Sequence, residues 1–161
     1  MSRRRRKKSA HDSPTRGDRV VIDAMILVDW LLSRVMQHPH RASESVNVLQ
    51  ARSCVIQISK KLENEVLSNV YRRGVFFPPE GLLPWRELTH GWTLSQRVLD
   101  EVALPKKVVH AVPPKDLHLV RLAVATNTVW VISNDSGVSA ASRVCKSLLS
   151  LTILESDRLE P

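Results

Sequence analysis

Cysteine is scarce in this chain: Cys54 and Cys145 are the only two among 161 residues. Two thiols cannot make a disulfide framework or a cysteine-rich zinc site, so both read as small buried hydrophobes and the reducing cytoplasm as the default compartment. Long apolar runs are absent too. No stretch approaches ~18 residues, which excludes a transmembrane helix. MSRRRRKK is followed by polar SAHDSPTRGD rather than an apolar stretch, so nothing reads as a signal peptide. There is no internal repeat. Acidic residues are outnumbered, 16 Asp and Glu against 24 Lys and Arg. What is present is a hydrophobic fraction of 43%, in a chain the length of one ordinary domain and long enough to bury a core.

The positive charge is unevenly spread. Residues 1–18 carry seven Lys and Arg against two Asp, a net of +5; residues 19–161 carry seventeen against fourteen, a net of +3. The block Arg3, Arg4, Arg5, Arg6, Lys7 and Lys8 repels itself and has nothing to bury. Residues 1–17 are therefore expected to be a disordered basic arm, and residues 18–161 the folded domain. Such an arm either solubilises the chain or attracts phosphates in a salt-dependent, sequence-blind way. The folded part alone is too balanced in charge to announce a nucleic-acid protein.

Hydrophobic patterning alternates between two periods. RVVI at 19–22 is apolar without alternation, as in a central parallel strand covered on both faces. From Met25 to Met36, apolar residues recur at three and four, which is helical; Pro39 stops the pattern. Residues 42–51 read as a shorter helix burying Val46 and Leu49, and CVIQI at 54–58 as a second buried strand. Ser59 is an expected N-cap for a helix to about Arg73, with Gly74 as its stop. Residues 75–95, rich in Pro and Gly and holding Trp85 and Trp92, read as loops and a short helix. Residues 95–103 read as helix and 106–112 as a short extended piece. A helix then starts at Asp116, a strand occupies 129–133, one helix of small residues runs from Gly137 to Leu148, and LTIL at 151–154 closes the chain as a strand. The alternation predicts a three-layer α/β/α sandwich with a central, mainly parallel sheet.

Four carboxylates stand where an α/β sheet does its chemistry, beyond the carboxyl ends of strands. Asp23 follows RVVI and Asp135 follows VWVIS. Each acid has a plain reading when taken alone: Asp caps turns and helices, Asp116 opens a helix, and Glu63 and Glu65 suit a solvated face. Residues at i and i+2 point apart, so only one of those two glutamates looks into a shared site. Together, four converging carboxylates would repel one another and force protonation unless a cation joined them. Oxygen-rich sites of this kind suit Mg²⁺ or Mn²⁺ and phosphate substrates. The chemistry that follows is phosphodiester hydrolysis, in which the cation acidifies a water and offsets charge developing at phosphorus. No Ser–His or Cys–His arrangement competes. The six histidines (His11, His38, His40, His90, His110, His118) show no ligand spacing, and His38-Pro39-His40 reads as a loop.

These segments resemble a known family. RVVIDAMILVDWLL resembles the first strand and helix of PIN-domain ribonucleases, VIQISKKLENEVLSNV their second strand with the capping Ser and the Glu six residues after it, and PPKDLHLVRLAVATNTVWVISND their third block. LTILESDRL matches the closing strand, so the resemblance covers about residues 19–157. It selects Glu65 over Glu63 and carries over Asp116 and Asp135 as metal-site acids, with Ser133 as the supporting hydroxyl. Two departures stand out. The family's Asp-Thr-Asn reads Asp23-Ala24-Met25, and the acid that often follows the last Asp is Gly137. Loss of such support lowers metal affinity or activity roughly 10–100-fold in metal sites generally.

The resemblance implies an endoribonuclease using Mg²⁺ or Mn²⁺ and leaving a 5′-phosphate and a 3′-hydroxyl. Many small PIN proteins are toxins held by an antitoxin, and they usually form homodimers. On this reading Asp23, Glu65, Asp116 and Asp135 hold the metal and Ser133 braces them. Arg3–Lys8, with Arg72 and Arg73, grip RNA, although the arginine pair also suits a solvated helix end. Trp85 and Trp92 fit the core, or else exposed surface for a partner. One alternative is a PIN-like RNA-binding module whose site turns over weakly or not at all. A further one makes Asp23 or Asp135 a phosphoacceptor, as in receiver-like domains, which leaves Glu65 and Asp116 without a role.

Overall fold

The computed structural model describes residues 12–36, 41–73, 84–159 and 161. Its centre is a five-stranded, all-parallel sheet in the order β3-β2-β1-β4-β5, with β1 at Arg19–Ile22, β2 at Val55–Ser59, β3 at Thr93–Ser95, β4 at Trp130–Ile132 and β5 at Thr152–Leu154. Helices cover it: α1 (Ala24–Met36), α2 (Arg41–Ala51), α3 (Lys60–Arg72), α4 (residues 84–88), α5 (Lys106–Ala111), α6 (Leu117–Ala125), α7 (Ser136–Ala140) and α8 (Ser142–Leu149). This is the expected α/β sandwich. Val20, Val21 and Ile22 of β1 and Val131 and Ile132 of β4 are fully buried, as β-branched residues covered on both faces should be. No described helix is long and apolar enough to cross a membrane.

The strand order places the site. From β1 the chain crosses to β2 on one side, while β4 and β5 lie on the other. The crevice at such a switch point opens beyond the carboxyl ends of the two middle strands. Pairing of Ile22 with Ile132 sets the next residues of β1 and β4 side by side. Asp23 therefore donates its backbone N–H to the Ile132 carbonyl at 2.9 Å.

Several local expectations are corrected. Residues 106–112 are not extended but form α5, begun after Pro105 with φ −56° and burying Val108 against the core. The β-branched valines there suit a strand in isolation, and tertiary packing overrides that preference. Residues 95–103 are not one helix. β3 precedes them as an edge strand paired with β2, and only Leu99–Glu101 forms a 3₁₀ turn. The helix expected over Gly137–Leu148 is two, broken at the fully buried Ala141. The packed part of the chain also begins earlier than the charge distribution implied. Arg52 donates to Ser13 Oγ (3.1 Å) and to the Pro14 carbonyl (3.0 Å), and Gly17 donates to the Ser53 carbonyl, so residues 13–17 are held on the α2–β2 turn. Arg3–Lys8, His38–His40 and Gly74 lie outside the described residues.

Both tryptophans of the middle segment serve the core. Trp85 is fully buried, and Trp92 stacks on Trp30 at 5.2 Å and meets Trp85 edge-on at 5.9 Å. Trp30 donates its indole N–H to Asn47 Oδ1, so α2 is tied to α1. Cys145 is buried as expected, whereas Cys54 is half-buried with its thiol 3.4 Å from the Thr15 carbonyl.

Candidate active site

Asp23, Glu65, Asp116 and Asp135 line one cleft of about 690 Å³ at the carboxyl ends of β1 and β4. Each reaches it for a local reason. Asp23 is the residue at which β1 gives way to α1. Its Oδ1 accepts from the Met25 N–H (3.2 Å), and its Oδ2 from the Ser133 hydroxyl at 2.6 Å. Ser133 follows β4, is fully buried, and accepts from the Asp135 N–H at 3.1 Å. One hydroxyl thus fixes two acids to adjacent strand ends without itself reaching the cleft.

Ser59 caps α3 as expected, accepting from the Leu62 N–H at 3.1 Å. Leu62, Val66 and Val70 bury one face of that helix, which leaves Glu65 turned into the cleft. Glu63 turns elsewhere: it accepts from the Trp85 indole (2.9 Å) and from Lys60 (2.6 Å). The choice between the two glutamates follows from helix periodicity.

Asp116 and Asp135 divide the plain reading between them. Asp135 is an N-cap: its Oδ1 accepts from the Gly137 and Val138 N–H groups at 2.8 and 3.2 Å, while Oδ2 lies 3.4 Å from Lys115 Nζ. The Val138 hydrogen bond, with help from Lys115, holds its carboxyl below the usual range. Asp116 stands at the N-cap position of α6 yet makes no capping bond. It is 6% exposed, and its Oδ2 is buried without a partner among the described residues. Burial, followed by the Asp23 charge, pushes its carboxyl up to about 6, against the pull of Lys115. A buried acceptor left unmade costs ~1–3 kcal/mol, so an unexplained one points to something that completes it.

Two residues escaped the sequence reading. His118, 3% exposed, places Nε2 2.9 Å from Glu65 Oε2. Burial and Lys61 push its imidazole down to about 4, so it is neutral and donates Nε2–H to the carboxylate. Burial and the Asp23 charge raise Glu65. The available signal was a histidine two residues after Asp116 on an otherwise apolar helix face, where a buried ring needs a partner. Lys115 escaped because its role depends on the fold bringing Asp135 to it. Arg72 lines the cleft, whereas Arg73 pairs with Asp29 at 3.3 Å.

The Gly137 departure has a steric cause. A Cβ there would stand 2.6 Å from Pro113 Cγ and 3.1 Å from Asp135 Oδ1, so no acid fits beside the present Pro113. Met25 stands at the cleft, 44% exposed.

Among the described residues, no three His, Cys, Asp or Glu side chains stand close enough together to hold a metal ion. The donor chemistry nevertheless suits a hard divalent cation. Mg²⁺ is ordinarily bound by one or two carboxylates, waters and substrate phosphates rather than by an all-protein cage. The orphaned Asp116 oxygen and the crowded carboxylates are the groups such an ion would satisfy.

No protein-family model and no curated protein matches the chain. Solved structures do. The crystal structure of VapBC2 from Rickettsia felis bound to a DNA fragment from their promoter superposes with a TM-score of 0.52 at 12% identity, over 85% of this chain and 98% of that one. The fold is PIN-like. The likeness is one of fold, and the acid constellation is read from this chain's own residues.

Proposed function

We propose that the chain is a divalent-metal-dependent endoribonuclease, and that it acts as the toxin of a toxin–antitoxin pair. The observation that carries the nuclease reading is the gathering of Asp23, Glu65, Asp116 and Asp135 on one cleft, with Asp116 buried and incompletely bonded. A receiver-like phosphoacceptor needs only one such Asp and explains neither Glu65 nor Asp116. The likeness to a VapBC2 structure supports the toxin reading at the level of fold.

Asp23, Glu65, Asp116 and Asp135 would hold Mg²⁺ or Mn²⁺, one or two of them directly and the others through its waters. The cation supplies charge neutralisation for the phosphodiester and acidity for a neighbouring water. The chain's own groups do the rest. Ser133 and the Met25 N–H keep the Asp23 carboxylate in one orientation. The His118 N–H holds Glu65, whose raised basicity suits it to take a proton from attacking water. Lys115, 72% exposed at the rim, offers a cation to an arriving phosphate. Arg72 and the Arg3–Lys8 block would hold the RNA backbone, with Arg73 contributing less because Asp29 already pairs it. A homodimer, an antitoxin partner and a cytoplasmic setting accompany this reading.

The test is cleavage of single-stranded RNA with Mg²⁺ or Mn²⁺. Products with a 5′-phosphate and a 3′-hydroxyl, abolished by EDTA and by Asp116→Asn in a folded protein, support the reading. Cleavage that persists in the variant points to a contaminant and overturns it. Met25, in place of the family's Asn, favours a second reading as an RNA-binding module without turnover. That reading expects salt-sensitive RNA affinity, lost on removing residues 1–11, and no product at high protein and Mn²⁺.

A further inference from the structure

The cleft is larger than an acid-bound cation requires. An ion with a full hydration shell fills on the order of 200 Å³, taking ~30 Å³ per water, against about 690 Å³ here. The remaining space lies between α1 and α3, away from the strand ends. One face of α3 lines it with Asn64, Glu65, Ser68 and Arg72, and α1 lines it with Met25 and Asp29. Glu65 to Arg72 is seven residues of helix, ~10 Å. Charges of both signs and a thioether thus line the same space.

The ends differ in what they bind. At one end, the carboxylates and Lys115 make the place where a phosphate meets a cation. At the other, Arg72 makes no ion pair among the described residues, although the adjacent Arg73 is held by Asp29. A guanidinium on a cleft wall with no ion pair among the described residues suits a second phosphate. On the α1 wall of the same cleft stands Met25, 44% exposed beside polar neighbours, where its flexible, polarisable sulfur suits contact with a planar ring. On the α3 wall, next to Glu65, Asn64 is exposed and its amide has no partner among the described residues, which leaves both a donor and an acceptor for a ring edge.

We infer that Met25, Asn64 and Arg72 form a nucleotide subsite beside the acid cluster, which seats one unpaired base on Met25 and its next phosphate on Arg72. The inference rests on the nuclease reading for the strand's direction of approach, but the subsite binds a nucleotide whether or not cleavage follows. Met25 then has a positive role where the family pattern has Asn. It serves as a base platform that selects single-stranded substrate, because a base inside a duplex cannot reach it.

The chain carries three methionines, so methyl labelling gives a simple spectrum. With Mg²⁺ present, adenosine 5′-monophosphate should shift the Met25 methyl upfield by ring current and leave that of Met36 unmoved. Ribose 5-phosphate, which lacks the base, should not shift it. Arg72→Ala should weaken the nucleotide's affinity, and Met25→Ala should weaken it about 2- to 10-fold, the range of sulfur–aromatic contacts. Met25→Leu, which keeps the bulk and loses the sulfur, should fall between. A Met25 methyl that ignores the nucleotide, or answers equally to ribose 5-phosphate, overturns the subsite even if RNA is cleaved. A base-dependent shift without any cleavage upholds the subsite and overturns the nuclease reading.

Discussion

Asp116→Asn should make the metal-free protein more stable while it removes activity. The Asp116 carboxyl is raised from 3.8 to about 6, first by burial and then by Asp23. Sign follows from proton counts. Between these two values the native state binds more protons than the unfolded chain, so stability falls as pH rises through the window. Above it, the ionised carboxylate costs about 3 kcal/mol, since each pH unit of that window contributes ~1.36 kcal/mol. Asparagine fills the same space, carries no charge, and offers its N–H₂ to the neighbouring carboxylates. The variant should gain about 2–3 kcal/mol at pH 8, and about 1 kcal/mol near pH 4.5, where half or more of the penalty has gone. Urea unfolding in EDTA, followed by circular dichroism, measures both. The midpoint should rise with little change in slope, since the surface exposed on unfolding is unaltered. A variant less stable than the parent at pH 8, or a gain that does not shrink on acidification, refutes the picture of Asp116 as a strained, unpaired acid.

His118→Gln should show the opposite pH trend. His118 is held near 4, below its ordinary 6.5, so the parent loses stability from this residue as pH falls through that window, by roughly 3 kcal/mol in full; the variant lacks that loss, and comparison of urea midpoints at pH 7.5 and 4.5 reads it. Adding Mg²⁺ at about 100 times its Kd should stabilise the parent by roughly 2.7 kcal/mol and Asp116→Asn by much less, as thermal shifts would report. Ser133→Ala removes the 2.6 Å bond to Asp23 and the acceptor of the Asp135 N–H; it should cost ~1–3 kcal/mol of stability and roughly 10–100-fold in activity. Gly137→Asp should destabilise by ~1–3 kcal/mol rather than repair the site, because its Cβ meets Pro113 Cγ at 2.6 Å; combining it with Pro113→Ala should recover most of that loss in a denaturation series.

How much of this was legible depends on whether the deciding information is local. The strands RVVI, VIQIS and WVI announce themselves because each is a dense β-branched or aromatic run buried on both faces. Ser59 announces α3 because a cap is read within three residues. β3 did not announce itself: Thr93–Ser95 has exposed and half-exposed side chains, and what makes it a strand is its pairing with Gln57–Ser59. The valines of α5 misled for the complementary reason, since a six-residue helix is stabilised by what Val108 packs against and not by its propensity.

The site divides along the same line. Asp23 and Asp135 were legible because parallel register converts "the residue after the strand" into "the rim of the crevice", a rule that needs no knowledge of neighbours. Glu65 needed the helix period as well, and Glu63 is instead bonded to the buried Trp85. Asp116 was legible as a helix start, and taken alone its plain reading is a cap. That α6 begins without a capping bond from it is visible only in three dimensions. His118 and Lys115 depend wholly on long-range placement: each finds its partner, Glu65 or Asp135, on another element. The same dependence explains Gly137. Sequence records an acid missing, whereas packing shows that Pro113 occupies the volume an acid would need. A missing residue and an excluded residue look alike in one dimension, and they call for opposite expectations when the position is changed.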